Sequence, residues 1–458
     1  MSAISDILLK NGTASLKDLY PLTMVNTEKD KKNLSALGYN PGYTVSEWPY
    51  NLPVERVFYS NQLFPSTYYY DSNEGAAPIV LNLNIIGTQR LSPIDDSAFF
   101  LYIREQAAKL KNPSVEDMKS YLISLDNGFR SEVMAAYLKA ATPSPELYDL
   151  FLTYYTITDY GAGAYDADTL KRVCSGRSAE QTDQLMRDLA EYPDVLTIYR
   201  GEAEGSTPHH KAISWSLDIN TAYFFACRHG DGDHARIVRA NARKKDIMAV
   251  NLDYKEQEVI LLPGVPFDVV KEKLLGLNHP AVMPNKFLDE YAEGREAIKR
   301  LYRRYGKAEK GQHDMVHSAR VLFLAFEIIQ AGKLKLTPKE RNQLMTAIVY
   351  HDIGRDNDGV DEEHGRISRE KYRGADPVVG FLIEYHCVDD RTAEAVLQND
   401  ERIKSKKRAW LLYQILKDAD ALDRVRFGIY SLDVNFLRLP ISHKLVSVAV
   451  KAVTGIKV

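Results

Sequence analysis

Cysteine is scarce in this chain: three residues in 458, Cys174, Cys227 and Cys387, with no Cys-x-x-Cys spacing. So odd and sparse a set argues against a disulfide framework and for a reducing compartment. An excess of one charge is missing too. The 59 Lys and Arg stand against 62 Asp and Glu, a net charge of −3, too even to announce nucleic acid or an anionic membrane as the main partner. No apolar run reaches the roughly 18 residues that a membrane-spanning helix needs. The start, MSAISDILLKNG, lacks the basic-then-apolar order of a secretory signal. The expectation is a cytoplasmic protein, or one exported as an effector without such a signal. No internal repeat is present. What remains is ordinary: 45% hydrophobic and 26% charged residues, the balance of a folded soluble chain. At about 150 residues per domain, two or three domains are expected.

Residues 1–125 read as a mixed region of unknown role. Helical stretches flank a Pro- and Tyr-rich middle, and residues 79–86 (IVLNLNII) read as a strand. From 126 to 192 the apolar residues recur three and four apart, as in RSEVMAAYLKAA and PELYDLFLTYYT, which predicts helices. From 195 to 265 short β-rich runs follow (VLTIYRG, HKAISWSL, ARIVRANA, DIMAVNL, EVILLPG), with one helical candidate, INTAYFFACRHG. Residues 276–310, ending KRLYRRYGKAEKG, predict a charged, solvated helical linker. From 311 to 458 the pattern is helical almost throughout.

The helical region carries candidate metal ligands: His317, the pair His351-Asp352, His364, His386 and Asp420. Imidazole and carboxylate suit Mn, Fe, Zn or Mg. His351 and Asp352 close an apolar helix, LMTAIVYHD, where side chains can converge. Leu412, Leu416 and Asp420 are each four apart and share one helix face. A carboxylate continuing an apolar face is buried, and a buried charge needs a partner, for which a cation is natural.

The order H…HD…D, within HSARV, HDIG and ADALD, resembles the HD superfamily of metal-dependent phosphohydrolases over residues 311–430. The resemblance implies that His317, His351, Asp352 and Asp420 hold one divalent ion. His364 and His386 fall where binuclear members bind a second, with Asp352 bridging. One or two ions would activate water and clamp a phosphoryl group. Arg355 and Lys417 could take phosphate oxygens or form ordinary salt bridges. His313, one turn before His317, could line the pocket or lie on the helix surface. The GYP signature of the cyclic-dinucleotide branch is absent.

A second constellation lies upstream: Tyr199-Arg200-Gly201, Ser214-Trp215-Ser216 and Glu256-Gln257-Glu258. In that order, after a helical lead-in, they resemble the R–S–E class of mono-ADP-ribosyltransferases over residues 126–270. The resemblance implies NAD as cosubstrate, with Arg200, Gly201, Ser214 and Phe225 around it. Arg200 would grip the pyrophosphate, and Ser214 the acidic loop and the nicotinamide-side ribose. Phe225 could stack on nicotinamide or pack in the core. Glu258 would favour the oxocarbenium-like state electrostatically. Glu256, two residues away on the same side of an extended segment, would orient or deprotonate the acceptor, with Glu-x-Glu pointing to arginine. Two departures stand out: Ser-Trp-Ser where Ser-Thr-Ser is more usual, and Lys255 beside the acid pair.

The sequence therefore predicts a multidomain chain: an N-terminal mixed region (1–125), an α+β ADP-ribosyltransferase-like domain (126–275), a charged helical linker (276–310) and an all-α HD domain (311–458). The expected function is bifunctional. ADP-ribose would pass from NAD to a macromolecular, protein acceptor. The HD part would hydrolyse a phosphorylated or nucleotide substrate, with the ADP-ribosylated product as one candidate. The alternatives are a nucleotide-signalling phosphohydrolase with a non-catalytic dinucleotide-binding domain, a toxin or effector transferase with an accessory HD domain, and a binding protein whose sites have lapsed. No membrane or nucleic-acid partner is expected.

Overall fold

A computed structural model describes residues 20–36, 44–47, 55, 57–59, 67–70, 79–82, 113–124, 127–158, 164–228, 234–252, 255–282, 285–307, 313–356, 359, 361 and 363–455. The chain forms two compact units, one of residues 1–191 with 211–213, the other of 192–210 with 214–458.

In the first unit, β1 (Tyr20–Pro21), β2 (Val57–Tyr59), β3 (Thr67–Tyr70) and β4 (Ile79–Asn82) pair antiparallel in chain order. The strand expected over 79–86 is present as β4, and the rest of it lies outside the described residues. Helix α1 covers Glu28–Ala36. Five more follow: α2 (Val115–Ser124), α3 (Asn127–Ala140), α4 (Pro145–Thr156), α5 (Ala167–Ser175) and α6 (Ala179–Asp188). The Pro-rich turn before α4 works as the sequence suggests. Ser144 caps the helix by accepting from the Leu147 amide, and Pro145 occupies the first turn, where its missing N–H costs nothing. Leu147, Leu150, Phe151 and Tyr154 on α4 are buried.

The second unit begins with a six-stranded antiparallel sheet of order β10-β7-β5-β6-β9-β8. Its members are β5 (Val195–Glu202), β6 (Ser214–Ser216), β7 (Arg236–Arg243), β8 (Ile247–Asn251), β9 (Glu258–Leu261) and β10 (Phe267–Lys273). The predicted helix between β6 and β7 is α7 (Ile219–Cys227), with Asp218 as N-cap accepting from Asn220 and Thr221. It lies close on β5: a Cβ on Gly201 would sit 1.9 Å from the Ala222 carbonyl oxygen.

Helices complete this unit: α8 (Leu288–Arg304), α9 (Met315–Ala331), α10 (Pro338–Tyr350), α11 (His364–Lys371), α12 (Pro377–Tyr385), α13 (Asp390–Asn399), α14 (Lys406–Asp423), α15 (Pro440–Lys444) and α16 (Val446–Gly455). α9 is the central one, buried at nearly every position from His317 to Ile329. α10 begins with a reciprocal capping box between Thr337 and Glu340, with Pro338 behind it. Among the described residues no helix is long and apolar enough to cross a membrane.

The compact units do not follow the boundaries read from the sequence. The helices of residues 127–188 fall in the first unit. The sheet shares one apolar core with the helices that follow it: Ala222, Tyr223, Ala226, Ile237 and Leu274 join Leu322, Ile348, Leu416 and Val448. The stretch 276–310 is not simply a solvated linker. Its helix α8 buries Gly294, Ile298, Leu301 and Tyr302, a stripe at helical spacing, while most of its charged residues are exposed.

Candidate functional site

Four histidine rings converge between α9, α10, α11 and α12, and each has its Nδ1 tied to an acceptor. Nδ1 of His351 meets the Ile348 carbonyl at 2.7 Å, Nδ1 of His386 meets that of Ile383 at 2.8 Å, and Nδ1 of His364 meets that of Asp361. Nδ1 of His317 meets Asp423 Oδ2 at 2.8 Å. Carbonyls and carboxylates only accept, so each Nδ1 carries a proton and Nε2 is the atom each ring turns toward the pocket.

Those Nε2 atoms face carboxylates and one another. His317 Nε2 is 3.3 Å from Asp352 Oδ2, 3.3 Å from Asp420 Oδ1 and 3.3 Å from His351 Nε2. His351 Nε2 is 3.6 Å from Asp352 Oδ2. On the other side of the same carboxylate, Asp352 Oδ1 lies 3.3 Å from His364 Nε2 and 3.5 Å from His386 Nε2, which are 3.0 Å apart. Bonds of about 2.0–2.2 Å to one ion set its ligands roughly 3.0–3.6 Å from each other. The donor set fits two divalent cations, one on each oxygen of Asp352. His317, His351 and Asp420 would complete the first, and His364 and His386 would serve the second.

The sequence places these residues for local reasons. Asp314 caps α9 by accepting from the Val316 and His317 amides at 2.9 and 3.0 Å, which fixes His317 in the first turn. His351 caps the C-terminus of α10, and His386 that of α12. The turn after His351 is held to α11 by the Gly354 amide, which donates to Ser368 Oγ at 2.8 Å. Asp420 follows Leu412 and Leu416 on α14, as its spacing predicts.

Burial opposes charge on His317, yet hydrogen bonds with Asp352, Asp420 and Asp423 outweigh it and hold its pKa well above the ordinary value. Burial pushes His351 down to about 4. Asp352, though buried, is held well below the usual carboxylate range by the imidazoles around it. Asp420 is not buried as expected, its side chain being 36% exposed, and it is lowered too: the hydrogen bond with His317 outweighs the loss of hydration. Burial lowers the His364 pKa, but contacts with Asp352 and Cys387 raise it to about 10. The carboxylate field that draws a proton to this pocket is the field that would hold a cation there, and a cation displaces the proton.

Several residues here carry no sequence expectation. Asp423, one turn beyond Asp420, accepts from His317 and takes a fork from Arg320, at 2.5 and 3.0 Å. Arg426 donates to Asp423 at 3.2 Å and approaches His313 Nε2 at 3.5 Å. Of the two alternatives for His313, its Nδ1 lies 2.8 Å from Asp352 Oδ2, inside the site. Cys387 lies with His364 and His386. The i+3 spacing of His317 with Arg320 and of Asp420 with Asp423 is a usable signal. The union of the two pairs is not, since it joins residues 103 apart in sequence.

Of the two proposed phosphate ligands, Lys417 is engaged elsewhere, while Arg355 stays beside the site. Lys417 donates to the Val388 carbonyl at 2.5 Å and pairs with Asp390 at 3.1 Å. Arg355 donates to the Gly359 carbonyl at 2.5 Å and lies 3.3 Å from His364 Nδ1.

In the sheet, Arg200, Ser214 and Glu258 come together on adjacent strands. Ser214 Oγ donates to Glu258 Oε1 at 2.5 Å, and Arg200 donates to the Ser214 and Thr207 carbonyls at 2.9 Å each. Ser216 is buried and donates to the Glu256 carbonyl at 2.6 Å. The acid pair differs from expectation. Gln257 has φ 41° and the strand starts only at Glu258, so Glu256 lies in an exposed turn and the two acids are not neighbours on one extended face. Gly201 has a packing reason to be glycine, the crossing of α7. Phe225 is half-buried with the Arg228 guanidinium 4.4 Å over its ring, neither wholly in the core nor free of neighbours.

Residues 315–425 match the family model described as HD domain, and every residue of the His/Asp set except His313 lies within that span. No curated protein matches the chain, and no solved structure does. The match supports the class of metal-dependent phosphohydrolases for the helical part. No match supports an ADP-ribosyltransferase domain, NAD binding or a protein acceptor for the sheet.

Proposed function

We propose that this chain hydrolyses a phosphoester or pyrophosphate of a nucleotide-like substrate at the site around Asp352. The observation that carries the reading is the ring orientation: four Nδ1 atoms are tied back and four Nε2 atoms face the two oxygens of one carboxylate. Divalent ions bound there would supply activated water and neutralise charge on the phosphoryl oxygens. The protein's own part is positioning. Asp352 would span both ions and Asp423 would keep His317 in its ligating tautomer. His313, beside Asp352 and reachable from solvent, is placed to give a proton to the leaving oxygen. Arg426 adds positive charge at the same mouth.

A second reading concerns the sheet. The Ser214–Glu258 hydrogen bond and the pinning of Arg200 beside it favour transfer of ADP-ribose from NAD, with Glu258 facing the developing positive charge and an arginine-bearing protein as acceptor. In this reading Arg200 holds strands in place at least as much as it grips phosphate.

Both readings are tested on the full-length chain. Hydrolysis of a generic phosphodiester should vanish on chelation, return with added divalent ion, and be lost in Asp352→Ala. Release of nicotinamide from labelled NAD should survive chelation and be lost in Glu258→Gln. Diester hydrolysis indifferent to chelator sinks the first reading, and no turnover of NAD in the wild type sinks the second.

A further inference from the structure

We propose that Cys387 supplies a thiolate to the second cation position, making it a two-histidine, carboxylate, thiolate site suited to a borderline ion such as zinc or ferrous iron rather than to magnesium. The inference rests on the reading that the Asp352 site binds metal, and goes beyond it by naming a ligand and the class of ion.

The sulfur is placed by packing. The Cys387 Sγ and one ring nitrogen each of His364 and His386 all lie within 4.8 Å of one another. Two elements meet to bring this about. α12 ends at Tyr385, and the turn behind it is closed by the Val388 amide bonding the Tyr385 carbonyl at 3.1 Å, which presents His386 and Cys387 together. α11 starts at His364 and presses onto that end through Gly365. A Cβ there would stand 2.4 Å from the Glu384 carbonyl oxygen and 2.8 Å from Cys387 Sγ. Only glycine allows the approach, and the approach joins the thiol to the histidine pair.

The ligand count also asks for another donor. The first position has His317, His351, Asp420 and one oxygen of Asp352. The second has His364, His386 and the other oxygen, which is three. A thiolate makes four protein donors, as at the first position, and an ion that expands to five-coordinate, as catalytic zinc can, still has room for water. Sulfur beside imidazole favours zinc or iron over magnesium and calcium, which prefer oxygen. Binding replaces the thiol proton with the ion and releases that proton to solvent, so no electron moves and no oxidant is required. The thiolate adds a negative charge at the second position, where the charge of Asp352 is shared with the first.

Cobalt reports thiolate ligation directly, through a sulfur-to-cobalt charge-transfer band in the near ultraviolet. The full-length chain is stripped with chelator, reloaded with cobaltous ion, and its bound cobalt counted alongside the spectrum. The expected result is two cobalt ions per chain with the band in wild type and in Cys174→Ser. In Cys387→Ser the band should be lost and the second ion bound at least about 10-fold more weakly, the lower end of what even outer-shell changes cost. Two bound ions without the band in wild type overturn the proposal, whatever the variant does. So does a band that persists in Cys387→Ser. One ion and no band overturn it while leaving the phosphohydrolase reading in place; no bound cobalt overturns both.

Discussion

Asp423 binds no metal in this account, yet it decides what His317 can do. Its Oδ2 takes the Nδ1 proton of His317 at 2.8 Å, and Arg320 and Arg426 hold the carboxylate in place. Asp423→Asn keeps the shape and removes the charge, so Nδ1 loses its strong acceptor and the ring its fixed tautomer. Metal affinity at the first position should fall about 10- to 100-fold, read by competition with a coloured chelator, while circular dichroism stays native. Unchanged affinity would mean that His317 is oriented by packing alone. At this scale the sequence was legible where function follows local spacing: HDIG, the Leu412–Leu416–Asp420 face, the turn at Pro145. It was not legible where a side chain's partner is set by the fold. Lys417 belongs to Asp390, Arg355 to Gly359, and Asp423 to a histidine on another helix.

Elements show a similar division. The β-rich runs became strands because their alternation reflects one buried face, as in β5, where Leu196 and Ile198 are buried and Val195 is exposed. β10 escaped notice because its residues are mostly exposed at a sheet edge, which leaves no alternation to read. The stretch 276–310 reads as a solvated linker when only its charge is counted. Lys and Arg dominate its composition, but Gly294, Ile298, Leu301 and Tyr302 form the stripe that packs α8 into the core. Such packing has a consequence for truncation. A fragment starting at Glu293 begins inside α8 and loses Ala222, Tyr223, Ala226, Leu274 and Val282 from the common core. It is expected to aggregate, or to unfold without a cooperative transition in denaturant. A soluble fragment with a sharp transition would show that the helices form a core without the sheet.

On the scale of the whole molecule, two clusters of chemistry share the second compact unit. The segment leaving α14 touches the first of them and the helix α7 next to the second. Arg426 reaches Asp423 and His313, and a few residues later Tyr430 stacks on Phe224 at 4.3 Å while Asp433 accepts from Asn220 at 3.1 Å. A charged boundary between two enzymes, the organisation the sequence suggests, gives way here to a sheet and a helical bundle that bury one another's apolar residues. The first unit remains without assigned chemistry. The account stands on the two-sided carboxylate at Asp352, and the most direct test counts metal. After dialysis of the full-length chain against a divalent ion such as zinc or manganese, plasma mass spectrometry should find two ions per chain in wild type. In Asp352→Ala, which removes the ligand common to both positions, it should find fewer than one. A wild type that binds none, or an Asp352→Ala chain that still binds two, would contradict the account.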